Sequence, residues 1–216
     1  MKKHNFVSEK KRPLVLAVTG PMAAGKNAAS SILEERGFAC TDADILVHKA
    51  IENQKECILK TFSSLAGEKG IKLTDEKGNI NRRALGSLIF TSPLLIKKQE
   101  DIVFPEVDHL IQEFLKENLS SGKNCVINAT VLYKVPSVKD VDLIIYVDAP
   151  FVQRFFRAKK RDGLPKKQIL ERFKAQKNLF AKYKFLNADI ERVWNTGSRK
   201  SLEKKIDRIL RLAGRG

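Results

Sequence analysis

Residues 14–29 read LVLAVTGPMAAGKNAA, and this stretch decides the fold. Its first six residues are apolar or β-branched and follow a proline, which predicts a short buried strand. Residues 20–27 form a loop, after which Ala28 and Ala29 begin a helical pattern that Gly37 ends. A strand that runs through a glycine-containing loop directly into a helix favours an α/β fold with an anion site at the loop.

The loop, GPMAAGKN, matches the phosphate-loop pattern G-x-x-x-x-G-K. The glycines let the backbone wrap an anion closely, and the free N–H groups at the helix start face it. Lys26 is expected to bridge the β- and γ-phosphates of a nucleotide. The alternative is a glycine-containing turn that happens to carry a lysine. The expected nucleotide-binding residues of the loop are Gly20, Met22, Ala23, Ala24, Gly25, Lys26, Asn27 and Ala28.

The loop departs from the pattern at Asn27, where a serine or threonine usually holds Mg²⁺. An amide oxygen is also a hard ligand of the kind that Mg²⁺ prefers, but the asparagine side chain is longer than a hydroxyl side chain. We therefore expect nucleotide binding to be retained, with Asn27 as a metal ligand of altered geometry.

Asp42 and Asp44 follow the second predicted strand, residues 38–41. The carboxyl ends of parallel strands meet at one edge of a sheet, so both carboxylates should lie near the phosphate loop. One can take the proton of an acceptor hydroxyl, and the other can bind Mg²⁺ directly or through water. The alternative is that one of them only caps the helix that follows.

Residues 151–186 carry twelve Lys or Arg against two acids. Arg157 and Arg161 share one face of a predicted helix, and Arg172 and Lys174 lie on the next. Arginine suits bidentate contact with phosphate oxygens. These two helices are predicted to form a lid that excludes water and neutralises the transferred group, with Arg161 taking part in catalysis. A solvated basic surface is the alternative.

Strands and helices alternate along the rest of the chain, which predicts a parallel five-stranded sheet with helices on both faces. Residues 67–80 should form loops or a small hairpin, and Pro105 should kink or interrupt a long helix. The predicted strands are 14–19, 38–41, 125–129, 141–147 and 190–194, and the main predicted helices are 45–66, 82–90, 93–119, 151–161, 165–186 and 199–212.

The chain has 216 residues, 43% of them hydrophobic, and a net charge of +16. This composition excludes a disordered tail protein and suits one domain with an insertion. The charge leaves nucleic-acid binding as an alternative, but base-stacking platforms are not evident. There is no membrane-length apolar run or signal-like start, and three scattered cysteines suit a reducing compartment, so we expect a cytoplasmic protein.

Taken in order, these motifs resemble the dephospho-coenzyme A kinases, a family of P-loop kinases. The resemblance runs from Leu14 to about Leu212. Its carriers are the phosphate loop, Asp42-Ala43-Asp44, Asn81-Arg82-Arg83-Ala84-Leu85, Ile89-Phe90, Val147-Asp148, Arg157, Arg161, Gln176, Ala188-Asp189 and Asn195-Thr196-Gly197-Ser198.

The resemblance implies phosphorylation of the ribose 3′-hydroxyl of dephospho-CoA by ATP and Mg²⁺. It implies Asp44 as the base with Lys26 and Arg161 as further catalytic residues, and Asn27 and Asp42 at the metal. Arg157, Asn195 and Gly197 would bind ATP, and Asp42, Arg82 and Arg83 would bind the acceptor. It also implies a monomeric P-loop kinase domain over 13–216, with a core of 13–44, 121–149 and 187–216, a CoA-binding insertion of 45–120, a lid of 150–186 and a basic tail of 1–12.

Three positions depart from the family pattern. Asn27 replaces Ser or Thr, Phe104-Pro105 stands where the family usually has His-Pro, and Lys134 reverses the charge of an expected glutamate. A diverged, non-catalytic protein that binds nucleotide or CoA is therefore the alternative function.

Overall fold

The computed structural model describes residues 12–184, 186 and 188–214, and its core is one parallel sheet. The order across the sheet is the second, third, first, fourth and fifth strand of the chain, and the prediction of a parallel five-stranded α/β sheet is confirmed. Each prediction of a strand is confirmed to within two residues. The strands are β1 (Val15–Thr19), β2 (Ala39–Asp42), β3 (Cys125–Asn128), β4 (Leu143–Asp148) and β5 (Asp189–Trp194).

Helices cover both faces of the sheet because the buried strand residues alternate between two apolar clusters. Leu16 and Val18 face the helices at the start and end of the chain, whereas Val15 and Ala17 face the long middle helix. The helices are α1 (Lys26–Glu35), α2 (Ala43–Asn53), α3 (Lys55–Glu68), α4 (Arg82–Ile89), α5 (Pro93–Ser120), α6 (Phe151–Asp162), α7 (Lys166–Ala175), α8 (Leu179–Tyr183) and α9 (Arg199–Leu212).

Two helix predictions were wrong in detail, and the interruption that Pro105 was expected to cause in a third helix, as an alternative to a kink, does not occur. The predicted helix 45–66 is divided at Gln54, where the amides of Asn53 and Gln54 both donate hydrogen bonds to Glu106 of α5. The predicted helix 165–186 ends at Ala175, because the next side chain, Gln176, turns toward the phosphate loop. Helix α5 continues through Pro105 without interruption.

The loop prediction for residues 67–80 is confirmed, with one antiparallel bridge between Thr74 and Ile80. Residues 1–11 of the predicted basic tail lie outside the described residues. In the described part of the chain, no helix is both long and apolar enough to cross a membrane.

The topology positions the functional groups. Strand β3 lies between β1 and β2, and all three are parallel, so their carboxyl ends meet at one edge. The phosphate loop, Asp42 and Asn128 are therefore neighbours in space although they are far apart in the chain.

Candidate active site

The phosphate loop needs glycine at both ends. A Cβ on Gly20 would lie 2.0 Å from the Val147 carbonyl oxygen, and one on Gly25 would lie 2.1 Å from Asn195 Nδ2. Ala23 (φ 60°) and Gly25 (φ 109°) are both in left-handed conformations. Alternating conformations of this kind turn successive N–H groups toward a common point, which creates an anion-binding concavity. Among the residues that the structure describes, no side chain caps the start of α1, so its first N–H groups are available to a phosphate.

Three side chains from distant segments hold the loop in shape. Asn195, only 9% exposed, donates from Nδ2 to the Ala24 carbonyl at 2.9 Å. Arg157 of α6 donates to the Asn195 carbonyl at 3.1 Å and to the Ala24 carbonyl at 3.5 Å. Gln176 accepts the Met22 N–H at 2.7 Å. Helix α6, the end of α7 and the loop before α9 are thereby attached to the phosphate loop.

Lys26 is the first residue of α1, and its ammonium donates to the Gly20 carbonyl at 3.1 Å across the loop. Burial lowers the pKa of Lys26 because it disfavours the charged form, while the Asp44 and Asp42 carboxylates raise it in part. The lysine is thus held inside the loop with its charge facing the two carboxylates.

The two aspartates have different environments. Asp42 caps α2: its Oδ1 accepts the Asp44 N–H at 2.9 Å, and its Oδ2 accepts from Asn128 Nδ2 at 3.1 Å. The capping alternative is therefore confirmed for Asp42. The Asp44 side chain is exposed, and within the described residues its carboxylate makes no hydrogen bond or ion pair. It is the carboxylate that is free to meet an acceptor hydroxyl.

A cavity of about 230 Å³ brings all three predicted catalytic residues together, and a second recess of about 520 Å³ opens beside the phosphate loop. Both are lined by Lys26, Asn27 and Arg161. The further residues around the first cavity are Met22, Ala23, Asp42, Asp44, Asn128, Ala129, Thr130, Arg172 and Gln176; those around the second are Ala23, Gly25, Arg157 and Lys160.

Arg161 reaches the cavity from the end of α6, where it forms a bidentate pair with Asp162 at 2.6 and 2.9 Å. This pair raises the pKa of Arg161 and lowers that of Asp162, because each charge stabilises the other. The guanidinium is thus presented to the cavity by its neighbour on the same helix.

Some predicted site residues lie apart from the two cavities. Arg82 and Arg83 are exposed on the first turn of α4 and line neither cavity. Gly197 lies in the loop that leads from Asn195 into α9, and Ala28 lies within the first turn of α1.

For three residues that line the cavity, Asn128, Arg172 and Gln176, the sequence alone defines no contact. Arg172 belongs to the predicted lid and Gln176 to the family pattern, but only the structure shows what they adjoin. Asn128 gave no local signal, since it is an ordinary polar end of a buried strand. Only the strand order places it between the phosphate loop and Asp42.

Two of the side chains that differ from the family pattern, Phe104 and Lys134, contact each other. The Lys134 ammonium lies 5.7 Å from the centre of the Phe104 ring and forms an ion pair with Glu100. The reversed charge therefore has a partner on α5, and the aromatic ring stands beside it. This cluster lines a separate cavity, together with Pro105 and Pro136.

The comparisons with known proteins agree with this geometry. The family model described as "Dephospho-CoA kinase" matches residues 14–196. The dephospho-CoA kinase of Treponema denticola is 39% identical over 90% of this chain and 87% of its own length, and that of Treponema pallidum is 33% identical over 93% and 95%. A Thermus thermophilus crystal structure that is 28% identical superposes with a TM-score of 0.76, covering 93% of this chain and 98% of the other.

These matches span the phosphate loop, both aspartates, helices α6 and α7 and Asn195, and they give the non-catalytic alternative no support. The chain therefore belongs to the dephospho-CoA kinase family, and its reaction is the ATP-dependent phosphorylation of dephospho-CoA.

Proposed function

We propose that Asp44 is the general base of this reaction and takes the proton of the ribose 3′-hydroxyl of dephospho-CoA. The hydroxyl oxygen then forms a bond to the γ-phosphorus of ATP while the bond from that phosphorus to the bridging oxygen of ADP breaks. The observation that carries this assignment is one cavity that brings the free Asp44 carboxylate against Lys26 and Arg161 at the phosphate loop. Two cations at this point would stabilise the charge on the transferred group.

ATP would bind with its phosphates on the N–H groups of the loop, from Ala24 to Asn27. Its base would lie on the side of Asn195 and Gly197, next to the guanidinium of Arg157. This placement is supported by the hydrogen bonds from Asn195 and Arg157 to the loop, since both side chains then shape the nucleotide site and the loop together.

Mg²⁺ would be held by Asn27 and Asp42. Both present hard oxygen atoms, and Oδ1 of Asn27 and Oδ2 of Asp42 accept from the same Asn128 nitrogen, each at 3.1 Å, so they converge on one place. Mg²⁺ usually keeps several waters and needs only one or two protein ligands beside the substrate phosphates, so this donor set fits the ion. When bound, the ion would neutralise charge on the phosphate oxygens.

The acceptor would reach Asp44 from the side of the helical insertion, residues 45–120, where Arg82 and Arg83 are available to its phosphates. The lid, residues 150–186, would close with Arg161 and Arg172 over the transferred group. The core would be residues 13–44, 121–149 and 187–216 of a single 13–216 domain. We further propose that the protein acts as a monomer in the cytoplasm.

The test is a coupled assay of ADP release with and without dephospho-CoA. Replacing Asp44 by Asn should lower kcat by a factor of about 10²–10⁴, the usual contribution of a positioned base, and leave ATP affinity nearly unchanged. Asp207→Asn is the matched control, because this carboxylate lies on α9 in an ion pair with Arg36.

The control should keep the parent kcat. ADP release that does not depend on dephospho-CoA would refute the acceptor. If Asp44→Asn instead weakens ATP binding and keeps kcat, Asp44 is a binding residue and the base lies elsewhere.

A further inference from the structure

The last residue of β3, Asn128, is only 5% exposed and occupies the space between the phosphate loop and the end of β2. Its backbone position is level with Val18 of β1 on one side and with Asp42 on the other. Asp42 is itself a proposed metal ligand, and the loop that follows Val18 and Thr19 carries the other, Asn27. Strand order alone therefore places the Asn128 amide against both ligands.

The hydrogen bonds assign each atom of this amide. Asp42 is a carboxylate and only accepts, so the Asn128 nitrogen must face it. The other N–H of the same nitrogen then points to Asn27, which must turn its oxygen toward it, at 3.1 Å. A flipped Asn128 would set its oxygen against two acceptors.

The oxygen of the Asn128 amide is in an unusual environment. Asn128 Oδ1 is buried, and in the described part of the chain it has no hydrogen-bond partner. An unpartnered buried acceptor is destabilising, and it is expected where a ligand or water completes the site. In P-loop enzymes a strand-end carboxylate commonly holds Mg²⁺ together with the loop hydroxyl, whereas here both positions are amides.

We propose that Asn128 is a positioning residue for the metal site: it donates one hydrogen to each ligand oxygen and accepts one from a water on the ion. This inference rests on the proposed function, because it concerns the same Mg²⁺·nucleotide site. Asn128 compensates for the long side chain of Asn27, since its N–H fixes the direction of the Asn27 carbonyl. It also holds the Asp42 carboxylate, whose other oxygen is used in capping α2.

The proposal is tested by titrating the full chain with Mn²⁺ in the presence of saturating ADP. Electron paramagnetic resonance measures the concentration of free Mn²⁺ and so gives the Kd. Loss of an outer-shell partner typically weakens metal affinity 10–100-fold, so Asn128→Ala should raise the Kd for Mn²⁺ by a factor of about 10–100. The affinity for ADP without metal should stay within about twofold of the parent, because Asn128 contacts Asn27 only through its side chain and does not line the recess beside the phosphate loop.

Asn124→Ala is the matched control. Asn124 precedes the same strand at its other end, where its Oδ1 accepts the Leu14 N–H at 2.8 Å. Its loss should lower the Tm and leave the Kd for Mn²⁺ unchanged. An effect on the Mn²⁺ Kd of the same size in both variants would mean a merely structural role for Asn128 and would overturn the proposal.

The isosteric variant Asn128→Asp keeps the packing if the alanine variant does not fold. It brings a second carboxylate against Asp42, so without metal the Tm of this variant should be lower than that of the parent. Addition of Mn²⁺ should then raise the Tm of the variant by more than it raises that of the parent. An unchanged response of Tm to Mn²⁺ in this variant, or an unchanged Mn²⁺ Kd in Asn128→Ala, would refute the role. A parent protein that fails to bind Mn²⁺ with ADP would instead refute the proposed metal site itself.

Discussion

Replacing Gly25 by alanine should destabilise the protein through a defined clash. Gly25 has a φ of 109°, and a Cβ there would lie 2.1 Å from Asn195 Nδ2. No real Cβ contact is so short, so the Asn195 side chain must move away. Its 2.9 Å hydrogen bond to the Ala24 carbonyl is then lost.

The expected cost has two parts. A left-handed conformation of a non-glycine residue costs about 1–2 kcal/mol. Leaving buried polar groups without their hydrogen bond costs about 1–3 kcal/mol. Gly25→Ala should therefore lower the free energy of unfolding by about 2–5 kcal/mol, which is a large part of the stability of an ordinary domain.

The assay is urea unfolding, with Gly37→Ala as the control. Gly37 lies just beyond the other end of α1, also has a positive φ of 85°, and a Cβ there would meet nothing within 4 Å. The free energy of unfolding of the control should fall only by the conformational cost, about 1–2 kcal/mol. In an Asn195→Ala background, which removes the clashing atom, the additional decrease in the free energy of unfolding on replacing Gly25 by alanine should be only this conformational cost, about 1–2 kcal/mol. Equal losses at Gly25 and Gly37 in the parent protein would refute the reasoning.

Three other outcomes are expected. Lys26→Ala should lower kcat by a factor of about 10²–10³ and leave the unfolding curve nearly unchanged, because the ammonium stabilises charge in the transition state; unchanged turnover would remove the loop from the catalytic site. Arg157→Ala should weaken ATP binding about tenfold, measured by calorimetry, since its guanidinium joins α6 to the phosphate loop and to Asn195; an unchanged affinity would contradict this. Tyr183→Phe should cost about 1–3 kcal/mol at pH 7, because the buried Tyr183 hydroxyl donates to the Thr130 carbonyl and accepts the Leu132 N–H, both at 3.0 Å. Burial raises the pKa of Tyr183 from 10.0 to about 12, so its contribution is complete below pH 10 and is lost as the pH rises toward 12. As the pH rises from about 9 to about 11, the free energy of unfolding should therefore fall less in the phenylalanine variant than in the parent. An equal fall in both proteins would contradict the assignment.

Much of this protein follows from its sequence alone, because the signals are local. The run of residues 14–29 shows a strand, a glycine loop and a helix start, each set by backbone preferences and apolar periodicity within a few residues. Alternating strands and helices then require a parallel sheet with two covered faces. This is enough to locate the loop, Lys26 and the Asp42–Asp44 pair at one edge.

The tertiary structure decided what these side chains do. Whether the predicted helices end at Gln54 and Ala175, and which group holds the second carboxylate oxygen of Asp42, depends on partners more than 40 residues away. Asn128 is the clearest case: its importance arises from the position of β3 between β1 and β2, which no local pattern encodes. Local sequence sets backbone conformation, whereas strand order and register, which are long-range choices, determine which polar atoms meet.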